Sequence, residues 1–213
     1  MKLEDGVVKF QQIFNVRSPL ERDLIKELNH WRNIFYELKL IGQDKSRYYG
    51  AGYGNVSQRL FPYDYLKNKN KFVITGTQTG GLAELDESHY TTVLEYNPKR
   101  NLVIAEGPIK ASSESMTHGT VYDLDKDIRF VFHAHSPEIW KFSRELNIPI
   151  TNKNVEYGTP EMTEEVERLF RETDARDKKI FSMGGHEDGI ITFGNNSHDA
   201  GSAMLDYLGK ARS

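Results

Sequence analysis

Apolar residues recur at helical spacing early in the chain, at Leu20, Leu24, Leu28, Trp31, Phe35 and Leu38. That period marks one buried face of a helix. Ser18-Pro19-Leu20-Glu21 supplies a capping serine, a proline at the first helical position and an early acid, and Gly42 can end the run. His30 lies beside the stripe and reads as structural. Further on, short apolar or alternating runs predict strands at 56–60, 71–75, 92–96, 102–105, 129–135, 179–183 and 190–193. Asn97-Pro98-Lys99-Arg100-Asn101 reads as a hairpin turn. Helices are predicted from Ser112-Ser113-Glu114 to about Tyr122, over 138–146, from Thr159-Pro160-Glu161-Met162 with Thr159 as cap, and over 199–209. Hairpins mixed with helical crossovers predict an α/β class, a mixed sheet with helices on its faces. Residues 1–213 form a single domain in this reading.

Composition narrows the chemistry. With 38% hydrophobic and 28% charged residues, the chain falls among ordinary soluble globular proteins, and at 213 residues it needs no disulfide staple. There are no cysteines, which removes thiolate nucleophiles and leaves histidine and carboxylate as the available metal ligands. The net charge is −3 with Lys and Arg dispersed, so no basic stripe for nucleic acid is expected. No apolar run reaches the roughly 18 residues of a membrane span. Met1-Lys2-Leu3-Glu4-Asp5-Gly6 carries acids where a signal peptide wants a basic start. A cytoplasmic location is the expectation.

Gly50-Ala51-Gly52-Tyr53-Gly54-Asn55 approaches a dinucleotide fingerprint, but Asn55 takes the third glycine position and a strand follows where a helix should. The stronger signal is Phe132-His133-Ala134-His135. Side chains two apart on a strand share a face, so both imidazoles project together. From that spacing alone, a pair of metal ligands and a pair of hydrogen-bonded histidines are both open. His186 stands in a glycine turn, Met183-Gly184-Gly185-His186, from which it can reach a shared pocket or simply face solvent. Glu187-Asp188 beyond it reads as a solvated turn or as support for a ligand histidine. Ser112-Ser113 at a helix start can hold an anion or cap the helix.

Taken together, Gly54-Asn55-Val56-Ser57, Val73-Ile74-Thr75-Gly76, Ser112-Ser113-Glu114 with His118, His133-Ala134-His135 and the late glycine-histidine turn resemble the class II aldolase/adducin family. The resemblance runs from roughly residue 20 to 205. It implies a three-layer α/β/α domain around a mostly antiparallel sheet, commonly a C4 homotetramer. It also implies His133, His135 and His186 as ligands of one divalent ion, zinc first. Glu114 would be the catalytic acid/base, with Asn55, Thr75, Ser112 and Ser113 in the substrate-phosphate pocket and His118 as support. The activity implied is a lyase of aldolase type, acting on a small hydroxy-carbonyl or sugar-phosphate substrate through a metal-stabilised enediolate. A sugar-phosphate 4-epimerase, a dehydratase and a non-catalytic adducin-like interaction module are the alternatives within the same family.

Overall fold

In the computed structural model, residues 8–63, 67 and 69–213 are described. The segment Met1 to Gly6, on which the signal-peptide expectation rests, lies outside them. The apolar stripe near the start forms helix α1, Arg22–Glu37. It begins later than the sequence predicts: Glu21 holds the cap position without a side-chain cap bond, and Ser18 and Pro19 precede it. The buried stripe is Ile25, Leu28, Trp31 and Phe35, while Leu24 is 42% exposed. Ile25 rather than Leu24 opens the stripe, at i, i+3 to Leu28, so the buried face runs through Ile25, Leu28, Arg32 and Phe35. His30 is exposed and packs edge-on against Trp31.

The strands are β1 (Gln11–Val16), β2 (Gly42–Gln43), β3 (Gly52–Tyr53), β4 (Asn55–Arg59), β5 (Phe72–Thr75), β6 (Tyr90–Asn97), β7 (Leu102–Gly107), β8 (Phe130–His135), β9 (Ile180–Ser182) and β10 (Gly189–Gly194). Eight of them form one sheet in the order β1-β7-β6-β5-β4-β8-β10-β9, and β2 pairs with β3 in a separate ribbon. Among the described strand pairs only β1 and β7 run parallel, with one further parallel bridge between Ile150 and Ser182. The sheet is therefore mixed and mostly antiparallel, as expected.

Edge strand β1 is not revealed by the hydrophobic pattern, and neither are the short β2 and β3 nor the helix Ala175–Lys178. Phe14 packs against the core while Ile13 at 52% and Val16 at 78% are exposed, so apolar residues fall on both faces and no polar–apolar alternation marks the strand. The predicted helix over 138–146 is α3, Pro137–Lys141, followed by turns up to Asn147, whose φ is +54°. The last helix, α6, is longer than expected, Ser197–Arg212, because Asn196 caps it by accepting from the Asp199 N–H at 2.8 Å.

Helices α2 (Ser115–Leu124), α4 (Pro160–Glu172) and α5 (Ala175–Lys178) cover one face of the sheet. Their core includes Ile74, Val131, Ile191 and Phe193. Helices α1, α3 and α6 cover the other over Val56, Val73, Phe132 and Ile190. Along β8 the alternation is strict: Phe130, Phe132 and Ala134 enter the α1/α6 core and Val131 the α2/α4 core. His133 and His135 continue the Val131 side, at the strand end where apolar packing stops.

Candidate metal centre

Strand period fixes the first two histidines, and hairpin register brings in the third. In the β8–β10 ladder Gly189 lies opposite His135. The turn just before Gly189 is closed by the His186 N–H donating to the Met183 carbonyl at 3.1 Å and the Gly189 N–H to the His186 carbonyl at 3.0 Å. His186 thus arrives at the end of β8. Gly189 lets it close in, since a Cβ there would lie 2.7 Å from His186 Cδ2.

The three imidazoles converge through one kind of atom. His135 Nε2 lies 3.2 Å from His133 Nε2 and 3.1 Å from His186 Nε2. Three nitrogens bound to one tetrahedral zinc at 2.0–2.1 Å would stand about 3.3 Å apart. Burial, and after it the neighbouring His186, holds His133 and His135 well below the usual histidine range, so both stay neutral. A neutral ring nitrogen is either donor or acceptor, so His135 Nε2 cannot serve both neighbours in the same sense. A shared cation satisfies all three lone pairs, and the donor set fits one. His133 Nδ1 lies 3.2 Å from the Ile190 carbonyl, a contact that places its proton on Nδ1 and leaves Nε2 to ligate.

Next to the trio, Glu114 is buried at the residue that precedes α2, and its Oε2 accepts from the Thr117 hydroxyl at 2.8 Å. Ser112, Ser113 and Glu114 line the same cleft as His133, His135 and His186. Asn55 joins them because it pairs opposite His133 in the β4–β8 ladder. Gly54, at φ +78°, turns the chain into that register, and a Cβ there would meet Ile41 Cγ1 at 2.5 Å. Asn55 Oδ1 is buried with no hydrogen-bond partner among the described residues.

Two expected residues fall elsewhere. Thr75 stands behind the cleft wall, where its hydroxyl accepts from the Val56 N–H at 3.2 Å; the loop residues Gly76 to Gly80 line the cleft instead. His118 is likewise outside the lining. Its Nδ1 contacts Ser57 Oγ at 2.7 Å, and Ser57 Oγ in turn contacts the Tyr122 hydroxyl at 2.7 Å. Burial pushes His118 down to about 3. Its backbone N–H donates to the Glu114 carbonyl at 3.0 Å, the ordinary first-turn bond of α2.

The turn after His186 also differs from a solvated one. Glu187 is exposed, but Asp188 is buried and accepts from the Tyr48 hydroxyl at 2.6 Å and the Arg47 guanidinium at 3.0 Å. The Tyr48 ring meets the His135 ring edge-on, centroids 4.5 Å apart. Tyr157 and Tyr53 are cleft residues that sequence reasoning missed. The Tyr157 ring lies 4.4 Å from that of His186, and the Tyr53 ring 5.3 Å from that of His135. The one usable signal for Tyr157 was its place just before the Gly158-Thr159-Pro160 helix start.

Similar architecture occurs in solved structures. L-fuculose-1-phosphate aldolase from Thermus thermophilus shares 20% identity at a TM-score of 0.62, covering 90% of this chain and 92% of its own. A sugar-phosphate aldolase from Thermotoga maritima shares 16% at 0.63, covering 90% and 93%. The N-terminal class II aldolase domain of a conserved protein from Thermoplasma acidophilum shares 14% at 0.55, covering 92% and 95%. No curated protein matches the chain in sequence. Residues 43–207 match the class II aldolase and adducin N-terminal domain, and since that match takes in most of the chain, from the β2–β3 ribbon into α6, the protein belongs to this family.

Proposed function

We propose that this protein is a divalent-metal-dependent lyase of aldolase type, acting on a small hydroxy-carbonyl substrate that carries a phosphate. One observation carries the reading: three imidazole nitrogens converge in a cleft that also holds a buried carboxylate, Glu114. His133, His135 and His186 would hold the ion, and zinc suits a set of three nitrogen donors with a position left open. When bound, such an ion polarises substrate oxygens and stabilises negative charge that develops on them.

The remaining steps belong to the protein's own side chains. Glu114 takes up or returns the proton at the reacting centre, and the Thr117 hydroxyl on Oε2 fixes its orientation. Ser112, Ser113 and the Asn55 amide face the cleft as polar groups for the anionic end of the substrate. Tyr53 and Tyr157 wall the imidazoles off on two sides, which strengthens electrostatics inside. A homo-oligomer, a tetramer as in the resemblance, and a cytoplasmic setting complete the proposal.

The test is metal content of the purified protein by mass spectrometry, beside a variant with His133→Ala and His135→Ala, followed by a screen of sugar phosphates for carbon–carbon cleavage. About one ion per chain, lost in the variant, together with cleavage by the native protein only, is the expected result. Absence of metal after reconstitution would overturn the reading in favour of a non-catalytic adducin-like module.

A further inference from the structure

Behind the cleft, helix α1 buries a cation. Arg32 is 1% exposed, and its guanidinium donates to the backbone carbonyls of Ala83 at 2.8 Å, Gly80 at 3.2 Å and Thr79 at 3.3 Å, and also to that of Leu82. One turn earlier on the same helix face, Asn29 donates to the Leu85 carbonyl at 3.0 Å. Its own Oδ1 accepts from the Tyr90 hydroxyl. The Tyr36 ring packs 4.6 Å from the Arg32 guanidinium carbon. Two polar side chains of a core helix are thus committed to one loop, the segment that continues from the cleft-lining residues Gly76 to Gly80.

Peptide geometry turns this clamp into a statement about the cleft. In a trans peptide the N–H of one residue points opposite to the carbonyl of the residue before it. With the Thr79 and Gly80 carbonyls drawn toward Arg32, the Gly80 and Gly81 N–H groups leave on the far side. Gly52, another cleft residue, stands there: a Cβ on Gly52 would lie 3.4 Å from Gly80 N and 3.6 Å from Gly81 N. A glycine at that position keeps the space before those N–H groups open. Successive N–H groups around such a space form an anion-binding concavity. The cation behind them adds to its potential, since no carboxylate among the described residues is paired with Arg32.

We infer that Arg32 is a positioning residue for anion recognition: without touching the ligand, it aligns the Gly80 and Gly81 peptides so that their N–H groups receive the phosphate or other oxyanion of a substrate. This deepens the proposed function and rests on the cleft being a substrate site. It rests on the metal trio only through the shared cleft.

The experiment titrates inorganic phosphate into the full chain by calorimetry, with zinc and after chelation. The native protein is compared with Arg32→Met, Arg32→Lys and Gly52→Ala, and circular dichroism and zinc content are recorded for each. Phosphate binding that persists after chelation in the native protein is expected. It should fall at least about tenfold in Arg32→Met, the scale of losing hydrogen bonds to a charged group. Arg32→Lys should restore part of it, because it keeps the charge with fewer donors. Gly52→Ala should lose phosphate while keeping native zinc content; if Arg32→Met does not fold, Arg32→Lys decides the question, since phosphate binding at the native level in it would overturn the inference. A folded Arg32→Met that binds phosphate as the native protein does, or no phosphate binding by the native chelated protein, would overturn the inference. Loss of zinc stoichiometry with phosphate binding intact would instead count against the metal reading alone.

Discussion

The Tyr48 hydroxyl donates a 2.6 Å hydrogen bond to the Asp188 carboxylate, which joins the turn before β3 to the turn that carries His186. Tyr48 and Tyr49 both adopt left-handed backbone, φ +48° and +56°, a conformation costly for bulky residues. That cost is met by what the turn delivers. Arg47 pairs with the same carboxylate, and the Tyr48 ring lies against His135. Burial and the negative Asp188 raise the Tyr48 phenol well above its ordinary value, so it stays a donor at any physiological pH. Tyr48→Phe leaves the buried carboxylate with Arg47 alone. The expected loss is about 1–3 kcal/mol of stability by urea unfolding. Zinc affinity should weaken by about 10- to 100-fold in a chelator competition, the usual scale for groups that hold ligands in place. Unchanged zinc affinity would show that Tyr48 serves the fold only.

Glu114→Gln separates binding from chemistry. The amide keeps the size of the side chain and still accepts from Thr117, so the cleft should keep its shape and its metal. It does not transfer the proton. Turnover of any sugar phosphate that the native protein cleaves should drop by about 10²–10⁴, with KM little changed. Activity within a few fold of native would remove Glu114 from the mechanism.

The parts of the site that were legible in the sequence are those set by short-range geometry. Strand period alone places His133 and His135 together, and glycines announce the turn that carries His186. Parts set by contacts between distant backbone groups left no mark. Nothing in the helical pattern marks Arg32, because its partners are carbonyls some fifty positions away that any residue would supply. Tyr48 carries no mark either, because nothing in Arg47-Tyr48-Tyr49-Gly50 signals two consecutive left-handed residues. Strand β1 was lost for a different reason. A parallel edge strand with exposed apolar residues has neither alternation nor a hairpin turn to mark it.

Buried histidines should make the metal-free protein acid-sensitive. The folded His118 titrates near 3, against 6.5 for the ordinary group, and His133 and His135 are also held well below it. Above the ordinary value both folded and unfolded chains carry neutral imidazoles, so stability is full and flat there. Below it the unfolded chain takes up protons that the folded chain refuses, so stability falls as pH falls. Each such histidine contributes a slope on the order of 1 kcal/mol per pH unit. Urea unfolding of chelated protein between about pH 7.5 and about pH 5 should show this decline. His118→Gln, which can keep the contact to Ser57, should make it shallower. A slope identical in the variant would place the sensitivity in other groups.

Gly54→Ala tests whether backbone shape, rather than the ligands alone, builds the centre. At φ +78° an alanine is strained, and its Cβ would press on Ile41 Cγ1 at 2.5 Å and on the His133 carbonyl at 3.1 Å. The strain alone costs on the order of 1–3 kcal/mol. Relief by movement passes either through Ile41 or through Asn55 and His133, which face each other across the β4–β8 ladder. The variant should therefore lose stability and bind zinc more weakly, although no ligand has been changed. Gly209→Ala, at a helix position with nothing within 4 Å of the added Cβ, is the control and should leave zinc affinity at the native level. If Gly54→Ala is destabilised but binds zinc with native affinity, the trio is held by β8 and β10 without help from the glycine turn.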